Sequence, residues 1–121
     1  MKRTIITAAT ALAALASCAA PAHAAGEQII YSFCSDTQDI ASLNWFDADN
    51  EQQVRSAIRL TNREAGRWCG TARLTSRSTY QMTASAIQTE GTYAACAISV
   101  NGKTTASDYA TGRYAVAMCA S

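Results

Sequence analysis

Arginine recurs at every fourth position in VRSAIRLTNREAGRW, at Arg55, Arg59, Arg63 and Arg67. On a helix this spacing lines four guanidinium groups along one face, a surface suited to phosphate or carboxylate groups. Val54, Ile58, Thr61 and Ala65 would then form the buried stripe opposite, with Glu51 pairing Arg55. As a strand, the same residues would turn Val54, Ser56, Ile58 and Leu60 inward and Arg55, Ala57 and Arg59 outward. The periodicity alone leaves both readings open.

A second acidic pattern, Asp47-Ala48-Asp49-Asn50-Glu51, begins as a calcium loop begins. It then fails, because Gln52 stands where the loop needs glycine and Ile58 where it needs a bidentate glutamate. A solvated hairpin turn is expected there, and no metal site. The single histidine, His23, falls in an N-terminal leader, so the exported chain has no Ser-His-Asp or Cys-His site. No nucleophile elbow, P-loop or dinucleotide fingerprint occurs. The expectation is a protein that is not an enzyme and carries no cofactor.

The leader is read from Lys2 and Arg3, an alanine-rich apolar core from Ile5 to Leu15, and the small-residue site Ala22-His23-Ala24. That order marks residues 1–24 as a signal peptide, with a core too short to span a bilayer. Leu15-Ala16-Ser17-Cys18 offers a second reading, a lipobox that would lipidate Cys18; cleavage after Ala24 is preferred. Either processing leaves one small domain, 25–121, with four cysteines: Cys34, Cys69, Cys96 and Cys119. In a short exported chain these imply two disulfides with three conceivable pairings, since zinc sites favour closely paired ligands. Loss of Lys2 and Arg3 leaves eight of the ten basic residues against nine acidic ones, a formal −1. Such a domain has no net field for collecting nucleic acid or anionic membrane.

Strands must position these residues. Asn101-Gly102 supplies a tight hairpin turn between Ala94–Val100 and Lys103–Tyr109. Cys96, Ile98 and Val100 share one face of the first strand. RYAVAMCAS adds a short alternating run whose Cys119 could reach Cys96 from a neighbouring strand. IASLNWF, with Leu43 and Trp45, turns at Asp47–Asn50 into a return strand through Val54. Gln28–Phe33 and Ser78–Gln88 read as further strands, with Glu90-Gly91 a turn. Strands at this spacing predict an all-β sandwich. Trp45 and Trp68 are expected in the core, and Tyr31, Tyr80, Tyr93, Tyr109 and Tyr114 are too dispersed to form a binding platform.

Ile30-Tyr31-Ser32-Phe33, ASLNWFDADNEQQV, CAISVNGK, Gly112, Ala115 and Cys119 follow one another in an order that resembles the MmpS family. These are small accessory proteins of mycobacteria and related actinobacteria that accompany large lipid- and siderophore-exporting transporters. The resemblance implies an immunoglobulin-like β-sandwich and a Cys96–Cys119 bridge, which leaves Cys34 for Cys69. It also implies that Gln52–Leu60 is the return strand and Thr61–Gly66 a loop or short helical turn leading to Trp68 and Cys69. Unlike this chain, family members usually carry an N-terminal membrane helix, and Cys34 and Cys69 lie outside their pattern. The function expected is an exported, non-catalytic envelope module, assisting an exporter as the resemblance implies. Arg55, Arg59, Arg63 and Arg67 are read from the residues as candidate partner contacts, a basic strip for an acidic partner or anionic envelope lipid. The rival is a freely secreted stand-alone binding protein, inhibitor or effector. Independently of that choice, the arginines also read as solvated strand and loop residues that discourage strand-edge aggregation.

Overall fold

A computed structural model describes residues 25–121; the expected signal peptide 1–24 and the lipidation site at Cys18 lie outside the described residues. The chain forms β1 (Gln28–Ser35), β2 (Asp39–Phe46), β3 (Gln52–Arg59), β4 (Asn62–Glu64), β5 (Arg67–Thr75), β6 (Ala84–Thr89), β7 (Tyr93–Val100), β8 (Lys103–Thr111) and β9 (Val116–Ala120). One sheet has the order β4-β5-β1-β7-β8 and the other β3-β2-β6-β9, with every pair antiparallel. Two such sheets packed together make the all-β sandwich that the alternating runs predict.

Alternation explains which residues meet between the sheets. Ile29, Tyr31 and Phe33 on β1, Ala94, Cys96, Ile98 and Val100 on β7, and Ile87 on β6 all point inward and are buried. Burial of each large aliphatic or phenyl side chain contributes roughly 1.5–3 kcal/mol. Tyr31 carries a polar group into this core, and its hydroxyl donates to the Phe46 carbonyl at 2.8 Å. Loss of solvent around it pushes its pKa up to about 12.

Both predicted hairpins form. Asn101 and Gly102 take φ of 53° and 83°, the left-handed pair that a two-residue turn requires. Ala65 and Gly66, at 51° and 79°, make the same turn between β4 and β5. Thr61–Gly66 is therefore neither a loop nor a helical turn: Asn62–Glu64 pairs with Arg67–Cys69. The predicted strand Ser78–Gln88 begins only at Ala84, because the preceding residues cross from one sheet to the other. Gln81 anchors that crossing, donating to the Asp47 carbonyl at 2.7 Å and to Asn50 Oδ1 at 3.1 Å.

Two bulges reset the faces. The β2–β6 register shifts between Ile40 and Ser42, so Ile40 and Leu43, three residues apart, both turn inward. The β7–β8 register shifts between Ile98 and Ser99, leaving Thr105 unpaired and turning Tyr109 to the outer face opposite Ala95.

The disulfides are Cys34–Cys69 and Cys96–Cys119. The first joins directly opposed positions on β1 and β5, on the outer face of their sheet. The second ties β7 to β9 through the core, so Cys119 reaches Cys96 from the facing sheet rather than from a neighbouring strand. Every described cysteine is bridged, as is typical of proteins in oxidising compartments.

Candidate partner-binding edge

The four arginines sit on strands of two different sheets and share no face. Arg55 lies on β3 opposite the buried Leu43, which places it on the core-facing side of that edge strand. Its guanidinium sits 5.4 Å from the Trp45 ring centroid, and Nη1 donates to the Val54 carbonyl at 3.1 Å. The expected outward Arg55 and inward Val54 are thus reversed: Val54 is 54% exposed. Ser56, also expected inward, is exposed. The cause is Ala57, held at φ 52° opposite the β2 bulge, which lets Arg55 and Ile58 face the same way.

Arg59 points outward across from Asp39, its Nη2 donating to Gln38 Oε1 at 2.7 Å and its Nε 3.6 Å from the Asp39 carboxylate. Both ionic side chains are about two-thirds exposed (67% and 63%), so the pair contributes little. Arg63, opposite Trp68 on β4, holds its guanidinium 4.8 Å from that ring. Arg67 lies 3.5 Å from the Tyr93 ring on the outer face, and Tyr93 stacks on Tyr109 with centroids 6.1 Å apart. The tyrosines that looked dispersed therefore include a stacked pair. The Thr105 bulge brings it together, and a hairpin counted without that bulge would put Tyr109 in the core.

Three of the four arginines cap an aromatic ring, an arrangement worth about 0.5–1 kcal/mol each at exposed sites. Trp45 and Trp68 are half-buried and packed against the core, with rims open to a partner. Trp and Tyr beside Arg are the side chains that most often dominate binding energy when a second surface covers them.

The acidic run turns inward on itself. Asp47 accepts the amides of Asp49 at 2.8 Å and Glu51 at 3.0 Å, and Gln53 Nε2 at 2.7 Å. These bonds, the Glu51 amide foremost, hold its carboxyl below the ordinary carboxylate range. Asp49 is taken by Arg77, whose Nη2 lies 2.6 Å away. No group of three metal-ligating side chains converges among the described residues, and no helix there is long and apolar enough to cross a membrane. Compared with models of known protein families and with curated protein sequences, the chain matches none.

Proposed function

We propose that this chain is an exported, non-catalytic binding module of the cell envelope that assists a transporter of lipids or siderophores. The observation that carries the reading is the set of arginine–aromatic pairs, Arg55 on Trp45, Arg63 on Trp68 and Arg67 on Tyr93. They supply preorganised contact area and charge-assisted donors without a reactive group. Two disulfides suit a domain working outside the reducing cytoplasm. The MmpS-like order of motifs supports the transporter as partner.

A photo-crosslinking side chain at position 63, compared with one at Lys103 at the start of β8 on the opposite edge of the same sheet, tests this in the producing cell. Crosslinks from position 63 to an envelope transporter are expected, and a chain recovered from the medium with no crosslink would favour the freely secreted alternative.

A further inference from the structure

Strand β5 pairs with β1 along its length, from Gln28↔Thr75 to Ser35↔Trp68, but with β4 only at Arg67, Trp68 and Cys69. Among the described residues its outer edge from Gly70 to Thr75 has no strand beside it. The Cα atoms of Cys34 and Cys69 are 4.1 Å apart, the close spacing of an antiparallel pair that exchanges no backbone hydrogen bonds. By alternation Thr71, Arg73 and Thr75 also turn their N–H and C=O groups away from β1, toward the open edge. β4 does not continue along it because Leu60 leaves for the core, its Cδ2 3.1 Å from where a Cβ on Gly70 would stand.

The other long edges of the sandwich are irregular or occupied, and β8, at the far side of the same sheet, is bulged at Thr105. β3 is kinked by Ala57 at φ 52°. On β9 the Met118 amide is occupied by the Asp108 carboxylate at 3.1 Å. The edge of β5 keeps one unshifted register with β1 over its six open residues.

Side chains determine what can pair there. Arg73 makes no ion pair among the described residues and projects from the outer face in register with Ile30. Arg63 and Arg67 flank one end of the edge, with Glu64 the acidic residue at that hairpin. A second copy pairing antiparallel about Arg73 would set Arg73 directly against Arg73, which is destabilising. In that register the edge disfavours its own copy, and Arg73 favours a carboxylate set opposite it. On the inner face Ala72 and Leu74 are half-buried, leaving room for small or apolar side chains.

We propose that the β5 edge from Thr71 to Thr75 takes up an extended, acidic segment of a partner protein as an added strand. The segment places a carboxylate opposite Arg73 and apolar side chains opposite Ala72 and Leu74, with main-chain hydrogen bonds supplying the register. This mode rests on reading the chain as a binding module and names how that module holds its partner.

The test is titration of the isotope-labelled, fully oxidised protein with the blocked peptide Glu-Val-Glu-Val-Glu-Val-Glu and with its lysine counterpart, following amide exchange residue by residue. The amides of Thr71, Arg73 and Thr75 should gain protection with the acidic peptide and not with the basic one. Arg73→Glu should weaken the acidic peptide roughly tenfold and improve the basic one. Thr71→Pro, which removes an outward N–H without breaking the ladder to β1, should abolish the protection. Protection that grows with protein concentration in the absence of peptide would overturn the proposal in favour of a second copy. Unprotected edge amides at millimolar peptide would overturn it in favour of arginines that merely guard the edge. Crosslinks from position 63 to an envelope transporter would survive either of those results, which separates this mode from the broader reading.

Discussion

Tyr31 should make the stability of this domain fall as pH rises above 10, and Tyr31→Phe should remove that fall. The side chain is fully buried, and burial raises its pKa from 10.0 to about 12; its hydroxyl also donates to the Phe46 carbonyl, a bond the phenolate could not make. The unfolded chain releases this proton near pH 10 while the folded chain holds it until near pH 12. The folded state therefore binds more protons across that window, and stability present in full below pH 10 is lost through it. At pH 11 the loss is roughly 1–1.5 kcal/mol, from about 1.4 kcal/mol per pH unit. At neutral pH, Tyr31→Phe should cost about 1 kcal/mol for the missing hydrogen bond. The two proteins should thus differ at pH 8 and converge near pH 11. Urea midpoints measured in steps from pH 8 to pH 11 decide it, and parallel curves would refute the assigned burial.

The disulfides should differ in weight: their sequence separations of 35 and 23 give nearly equal chain-entropy terms of about 4 and 3.5 kcal/mol. Cys96 and Cys119 both lie in the core cluster, so C96A/C119A should nonetheless be the costlier pair in urea denaturation, by roughly 1 kcal/mol. Gly91→Ala would drive a methyl group into the Asp36 carboxylate and to 2.6 Å from Thr37 Cγ2, lowering the midpoint by an amount equivalent to about 1–3 kcal/mol. Ala65→Asn should stabilise by about 0.5–1 kcal/mol in thermal unfolding, because Asn-Gly suits the left-handed turn now made by Ala65 and Gly66. Burial alone would raise the Asp36 carboxyl, but the Thr92 hydroxyl and the Thr92 and Tyr93 amides outweigh it and hold the pKa below 3.8. Stability from Asp36 is therefore present above 3.8 and lost as pH falls through the folded-state value, and Asp36→Asn should flatten that acid limb of a urea-midpoint titration.

The strands whose pattern is local were legible in the residues. β1 and β7 alternate cleanly, and Asn101-Gly102 declares its own turn chemistry. β4 and β5 were not, because Ala65-Gly66 lacks the Asn or Asp that advertises such a turn. The arginine rhythm misled for the same reason: this unadvertised hairpin splits a four-residue spacing between strands, where it has no common face. Bulges hid the rest. A one-residue insertion inverts every side chain beyond it, so the orientations of Arg55 and Tyr109 depended on irregularities opposite Ala57 and at Thr105 that no residue type signals. The Arg55–Trp45 pair and the Tyr93–Tyr109 stack follow from those two irregularities.

The Cys34–Cys69 bridge connects fold to proposed function. The segment it closes contains β2, β3, β4 and all four of Arg55, Arg59, Arg63 and Arg67. That segment leaves one sheet at Ser35, supplies the β2–β3 edge of the other, and returns through Leu60 to the first. Its end at Cys69 is also where β4 stops shielding β5. A strand with an open edge is supported by a ladder on one side only, and its exposed backbone would fray more readily than that of a central strand. A covalent link from Cys69 to β1 fixes the strand at the boundary between its shielded and open halves. The edge beyond, from Gly70 to Thr75, is thereby held in an extended register before anything binds, which lowers the ordering cost of adding a partner strand. The same link holds Arg63 and Arg67 at the end of that edge.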